Sequence, residues 1–104
     1  MRDFREVIYQ NPDPYNSIYN FIKREIIPKY SCLTSVYQDN FDEEGNSRIQ
    51  YYIRYAADLS VSQWDKLFMK IFNDIMSFCR FCGISYDDLD VDVLLTIDGE
   101  FNEK

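Results

Sequence analysis

Three aspartates near the C-terminal end of the chain have a spacing that could support metal chemistry. Asp88, Asp90 and Asp92 alternate with apolar residues, so on a β-strand their carboxylates would project from one face. Such a row could hold Mg²⁺ or Mn²⁺ for phosphoryl transfer. Neighbours on one face of a strand are about 6.5–7 Å apart, however, which prevents joint ligation unless the strand bends. The spacing leaves three alternatives open: a solvated strand face, a docking surface for a basic partner, or a metal site.

Cys79 and Cys82 form a C-x-x-C pair, a spacing found in redox sites and in zinc sites. A redox pair usually lies at a helix N-terminus, where the helix dipole favours the thiolate, but here the predicted helix ends at the pair. Cys32 is the remaining cysteine, and the chain has no histidine, which removes the usual zinc ligands and the commonest general base. We interpret the pair as two small apolar residues of the core, and we predict no metal and no cofactor.

The acidic residues are concentrated in two segments of the chain. The net charge is −7, and residues 81–104 contain seven Asp/Glu against Lys104 alone. A second group lies just before Gly45. A negative field repels the phosphates of nucleic acids and membranes and attracts basic protein surfaces. We therefore predict a partner-binding surface made of both groups: Asp39, Asp42, Glu43, Glu44, Asp87, Asp88, Asp90 and Asp92.

A long helix predicted over Val61–Cys82 is the element around which these groups are arranged. Its apolar residues recur at steps of three and four, as on one face of a helix. Ser60 and Gln63 have the spacing of a capping box, and Gly83 stands where a left-handed residue usually ends a helix.

An earlier helix is predicted from its capping residues. Asp13 is a suitable N-cap, Pro14 suits the first helical position, and Pro28 ends the helix near Ile27.

Three strands are predicted from the alternation of apolar and polar residues, over Ser31–Gln38, Arg48–Ala57 and Leu89–Ile97. The first two strands should form an antiparallel hairpin around a loop at residues 39–47. In the second strand we expect one set of residues to face the core: Ile49, Tyr51, Ile53, Tyr55 and Ala57. The other set should face outward: Arg48, Gln50, Tyr52, Arg54 and Ala56.

The element order α-β-β-α-β predicts an α+β fold in a single domain of 104 residues. We expect a three-stranded sheet in the order 2-1-3 with two helices packed on one face, a reduced ferredoxin-like arrangement. Residues 1–12 are predicted to be mobile, and residues 98–104 to form a polar tail.

The composition favours binding over catalysis. An odd cysteine count, the lack of an apolar run and the lack of a signal peptide predict a cytoplasmic location. We predict a non-enzymatic acidic protein-binding module, such as an inhibitor of the anti-restriction, anti-CRISPR or immunity type. It would act as a nucleic-acid mimic and occupy a basic surface of a nucleic-acid-processing enzyme, for example a nuclease.

Three alternatives to this reading remain. The first two are a metal-dependent phosphoryl-transfer enzyme that uses the strand aspartates, and a structural homodimeric subunit that pairs through its open sheet face. The third is RNA binding through Tyr52 and Arg54, which is disfavoured because Asp90 and Asp92 would repel phosphates or pair with Arg54.

Overall fold

A computed structural model of the chain describes residues 13–42 and 44–98, which form a three-stranded mixed sheet with helices, an α+β fold. The predictions for residues 1–12, Glu43 and residues 99–104 lie outside the described residues. The elements follow in the order α1 (Pro14–Phe21, continued by one π-helical turn, Ile22–Ile26), β1 (Leu33–Phe41), β2 (Ser47–Tyr55), α2 (Val61–Cys82), α3 (Tyr86–Leu89) and β3 (Val91–Ile97). Within the described ranges, no helix has both the length and the apolar character needed to cross a membrane.

Helix α2 has the predicted bounds, and its two ends show why. The Gln63 amide donates to Ser60 Oγ at 3.1 Å, and the Ser60 amide donates to Gln63 Oε1 at 2.9 Å, which completes the capping box. At the other end Gly83 has a φ of 72°, the left-handed conformation that glycine adopts without steric cost.

Helix α1 also starts as predicted, because the Asp13 carboxylate accepts a hydrogen bond from the Tyr15 amide at 3.0 Å. Its α-helical part ends at Phe21, earlier than expected, and a π-helical turn carries the chain to Ile26. Ile18, Ile22 and Ile26 are all at most 1% exposed, so α1 and its π-helical turn bury one continuous apolar side.

The predicted strand order 2-1-3 is wrong, because β2 and not β1 is the central strand. The order is β1-β2-β3, with β1 antiparallel and β3 parallel to β2. Helix α2 therefore connects two adjacent parallel strands, and no third strand lies between them. Beside β2, Asp92 lies opposite Gln50 and accepts hydrogen bonds from Arg48 and Gln50, and these cross-strand contacts favour the observed order.

Strand β1 departs from simple alternation. A register shift between Leu33 and Ser35 adds one residue to β1, so Leu33 and Val36 face the core together. Strict alternation along Ser31–Gln38 would place Leu33 and Val36, three residues apart, on opposite faces. A second shift lies between Asp39 and Phe41, so the regular part of β1 is Ser35–Asp39.

A single core lies between the helices and one face of the sheet. The buried side chains of all five larger elements form one cluster: Ile18, Phe21, Ile22, Ile26, Leu33, Val36, Tyr51, Ile53, Ile71, Ile75, Phe78, Cys79, Val91 and Leu95. Phe21 of α1 stacks on Phe78 of α2 with ring centroids 4.3 Å apart. Helices α1 and α2 therefore cover the same face of the sheet. The opposite face carries Gln50, Tyr52 and Arg54 of β2.

Candidate functional site

The parallel register of β2 and β3 brings the two acidic segments to the same end of the sheet. Ile49 lies opposite Val91, so both strands begin at that end, where β1 also finishes. The described residues of the loop between β1 and β2 (residues 42 and 44–46, here the hairpin loop) therefore lie near the segment that precedes β3 (residues 86–90, here the acidic turn). Seven of the eight predicted binding residues are described, and all seven belong to this end: Asp39, Asp42, Glu44, Asp87, Asp88, Asp90 and Asp92.

The hairpin loop is organised by the Asp42 side chain. Asp42 Oδ1 accepts hydrogen bonds from the amides of Glu44 and Asn46, both at 2.9 Å. The Asp42 amide donates to the Asn46 carbonyl at 2.9 Å. Gly45 has a φ of 82°, a left-handed backbone conformation that is strained for a residue with a side chain. Asp42 is thus a structural residue of the loop, whereas Glu44 is exposed and can meet a partner.

The predicted ladder of three aspartates on one strand is wrong. Asp87 and Asp88 lie on the one-turn helix α3, Asp90 adopts a left-handed conformation with a φ of 56°, and only Asp92 belongs to β3. The alternation of apolar and acidic residues across 88–92 is equally compatible with a helical turn that leads into a strand. Asp87, Asp88 and Asp90 are exposed.

Two tyrosines anchor the acidic turn to the body of the protein. The Tyr15 hydroxyl donates to the Leu89 carbonyl at 3.2 Å, and the Tyr86 hydroxyl donates to the Val91 carbonyl at 3.5 Å. The Tyr86 ring also contacts Phe72 edge-on, with centroids 5.7 Å apart, and burial raises the pKa of Tyr86 to about 12. These contacts anchor the backbone that carries the exposed carboxylates of the turn, which lowers the entropy cost of ordering this segment when a partner binds.

Arg48 is the functional residue that sequence reasoning missed. Its guanidinium binds Asp92 through Nε and Nη2, at 2.6 and 2.9 Å, and Asp90 through Nη1 at 2.7 Å. Hydrogen bonds from Arg48 hold the pKa of Asp92 below its usual value, and the same bonds raise the pKa of Arg48. The available signal was an arginine at the start of a strand, on the face predicted for the aspartates.

The contacts of Arg48 with Asp90 and Asp92 bear on two of the alternatives, a metal site at these aspartates and their pairing with Arg54. Asp90 and Asp92 are the carboxylates that a divalent ion would need, and a guanidinium already binds both. Among residues 13–42 and 44–98, no three His, Cys, Asp or Glu side chains are grouped so that they could hold a metal ion. The alternative in which Arg54 pairs with Asp90 and Asp92 is wrong, because Arg48 binds both carboxylates.

The cysteine pair behaves as a core element. Cys79 is 1% exposed, and burial raises the pKa of its thiol to about 11. No disulfide joins Cys32, Cys79 or Cys82. The high pKa is the opposite of what a nucleophilic thiolate requires.

The open face of the sheet beside the acidic end carries an aromatic pair. Tyr37 of β1 stacks on Tyr52 of β2 with centroids 4.8 Å apart, and the Arg54 guanidinium lies 5.0 Å from the Tyr37 ring centroid. The Tyr52 hydroxyl donates to Gln50 Oε1 at 2.7 Å, and Gln50 Nε2 donates to Asp92 at 3.3 Å. A polar network thus connects the aromatic pair to the Arg48–Asp92 contact.

The first residue of the predicted polar tail, residues 98–104, is hydrogen-bonded to the sheet. Asp98, the first residue of the predicted polar tail, extends the sheet: its amide donates to the Tyr55 carbonyl at 2.7 Å, and its carboxylate accepts from Thr34 Oγ1 at 3.0 Å.

No protein-family model, no curated protein and no solved structure matches the chain.

Proposed function

We propose that this protein is a non-enzymatic binding module that docks the acidic end of its sheet onto a basic surface of another protein. The observation that carries the proposal is the meeting of the hairpin loop and the acidic turn at one end of the sheet, around Arg48. Segments more than forty residues apart in sequence contribute to one negative surface. Electrostatic attraction of this kind speeds association and selects basic partners.

The proposal extends to an inhibitor that imitates nucleic acid. A basic groove that binds phosphates has the charge complementary to exposed carboxylates, so a rigid acidic surface could occupy it. The exposed acids Glu44, Asp87 and Asp88 would face the partner, while Asp42, Asp90 and Asp92 hold the loop, the turn and Arg48 in place. The absence of any disulfide among the three cysteines is compatible with a cytoplasmic setting.

The test uses a charge reversal matched by an equal reversal elsewhere. Asp87→Lys/Asp88→Lys changes the acidic turn, and Asp58→Lys/Asp65→Lys makes the same change in net charge at the opposite end, beyond the carboxyl end of β2. All four side chains are exposed, so both variants should fold. Each tagged protein is used for capture from the source cells, and the recovered partner is then titrated at several salt concentrations.

We expect the acidic-turn variant to bind the recovered partner about tenfold or more weakly at low salt, and the control variant to bind normally. Affinity should fall steeply with salt, and duplex DNA should compete if the partner is a nucleic-acid-processing enzyme. Equal affinity of the wild type, the acidic-turn variant and the control variant for the partner at low salt would refute the proposal.

A further inference from the structure

The two outer strands of the sheet, β1 and β3, differ in how many of their backbone carbonyls accept hydrogen bonds from side chains of the helices. On β3, the Trp64 indole donates to the Leu95 carbonyl at 3.2 Å, and the Tyr86 hydroxyl donates to the Val91 carbonyl. Side chains from α2 and α3 thus engage two carbonyls of this seven-residue strand. Such cover is a common way to keep a sheet edge from pairing with another chain.

Strand β1 has one such contact among the described residues, from the Tyr19 hydroxyl of α1 to the Val36 carbonyl at 3.4 Å. Within the same residues β1 pairs with β2 alone. In the regular stretch Ser35–Asp39, between the two register shifts, the backbone groups of Val36 and Gln38 face away from β2. Because the Val36 carbonyl accepts the Tyr19 contact, the groups offered to a further strand are the Val36 amide and the amide and carbonyl of Gln38. An outer strand of this kind can accept a further strand by main-chain hydrogen bonding.

A shallow groove of about 370 Å³ follows this edge of β1. Residues of α1 form one side of it and residues of β1 the other: Asn16, Tyr19, Tyr37, Gln38 and Asn40. Amide side chains both donate and accept hydrogen bonds, as peptide groups do, so the lining suits an extended backbone. The groove is not apolar, and it does not resemble a site for the apolar face of a helix.

The charge along β1 indicates which strand would fit. From Leu33 to Ser47 the chain has no Lys or Arg, and it contains Asp39, Asp42, Glu43 and Glu44. Pairing β1 with β1 of a second copy would add a second set of these carboxylates at the same edge, with no Lys or Arg from this stretch to neutralise them, which is unfavourable. A strand with basic side chains would be attracted by the same residues.

We propose that the outer edge of β1 binds an extended, basic segment of the protein partner by β-strand addition. This inference rests on the proposed function, since the partner is the one attracted by the acidic end of the sheet. Main-chain hydrogen bonds along Ser35–Asp39 supply the pairing, and the neighbouring carboxylates select a basic strand.

The experiment uses a synthetic probe as long as β1, nine residues, that alternates arginine and threonine and has blocked ends. The control peptide has the same sequence with alternate amides N-methylated, which keeps the charge but removes the donors needed for pairing. Each peptide is titrated into the full-length protein at low ionic strength, and backbone hydrogen exchange is followed residue by residue.

We expect the unmethylated peptide to slow exchange about tenfold or more at β1 amides that face away from β2, with no change at β3, and the N-methylated peptide to have no such effect. If both peptides bind equally and Asp87→Lys/Asp88→Lys abolishes both, strand addition is wrong and the proposed function stands. If neither peptide slows exchange at β1, strand addition is also wrong. The proposed function is then still tested separately, by the capture experiment with the charge-reversal variants. Protection of β1 that rises with protein concentration alone would assign the edge to a second copy and overturn the proposal.

Discussion

The Arg48 guanidinium donates a hydrogen bond to each carboxylate oxygen of Asp92, with Nε–Oδ2 and Nη2–Oδ1 distances of 2.6 and 2.9 Å. Parallel, two-point contact of this kind is the most directional ion pair that side chains form. It joins the central strand to β3, and through Asp90 it also fixes the end of the acidic turn. One arginine therefore couples the strand order of the sheet to the shape of the proposed binding surface.

The Arg48–Asp92 contact predicts a specific dependence of stability on pH. Because the folded-state pKa of Asp92 lies below its ordinary value of 3.8, the contact stabilises the fold above that value. The stabilisation should be lost as the pH falls through the lowered folded-state pKa. Asp92→Asn should therefore reduce the melting temperature at pH 7 and converge with the wild type in acid. Thermal unfolding across the acid range measures this.

The control for the pH prediction is Asp87→Asn, which removes an exposed carboxylate from the same end of the sheet. It should alter the melting temperature little, because exposed charges contribute little to stability. A difference between Asp92→Asn and the wild type that stays constant down to strongly acidic pH would contradict the assigned role of Arg48.

Replacing Trp64 by phenylalanine should expose the outer strand β3. The change keeps an aromatic ring next to Phe68, whose centroid is 5.5 Å away, but removes the hydrogen bond to the Leu95 carbonyl. We expect a loss of about 1 kcal/mol in unfolding free energy and faster hydrogen exchange in β3. Tyr86→Phe, which loses a longer bond of 3.5 Å, should have a smaller effect. The reverse ranking would show that the indole contact is unimportant.

The stack between Phe21 and Phe78 should dominate the contact between the two helices. Phe78 is 0% exposed, so Phe78→Ala should cost about 3–5 kcal/mol by leaving a cavity in the core. Met69 lies on the same helix but is 52% exposed, and Met69→Ala should change the unfolding free energy by less than about 0.5 kcal/mol. Urea unfolding of both variants measures the contrast. Similar losses would mean that α2 is not oriented as described.

The cysteines should differ sharply in reactivity. With a pKa of about 11, the buried Cys79 thiol is ionised in only about one molecule in a thousand at pH 8. Alkylation of the native protein, read by mass spectrometry, should label the half-buried Cys32 and Cys82 first and Cys79 only on unfolding. Rapid labelling of Cys79, or a disulfide to Cys82 under mild oxidation, would revive the redox interpretation.

Local signals in the sequence were sufficient for both ends of α2 and for the start of α1. The Ser60–Gln63 spacing and Gly83 predicted both ends of α2, because capping groups act within one helical turn of their own residue. Asp13 likewise predicted the start of α1. The π-helical turn at Ile22–Ile26 was not predictable, since no residue type there differs from an ordinary helix.

The candidate site was predictable as a set of residues but not as an arrangement. Alternation in Leu89–Ile97 suggested one continuous strand, whereas Asp88 lies on a helical turn and Asp90 is left-handed. Acidic residues tolerate turns as well as exposed strand positions, so period-two spacing over five residues could not separate the two. Arg48 was placed on the correct face, yet its partners depended on which strand lies beside β2.

The sequence by itself determined the α+β class, the bounds of α2, the approximate positions of the three strands and the two acidic segments. These features depend on hydrophobic periodicity, capping and charge, all of which act over a few residues. Only the tertiary structure decided that β2 is central, that Leu33 and Val36 share a face, and that Arg48 binds Asp90 and Asp92. Those outcomes depend on pairing between distant segments, about twenty residues apart where Leu33 and Val36 pair with β2 and more than forty apart for β2 with β3. The competing arrangements satisfy the same local pattern and differ only in the cross-strand contacts they allow.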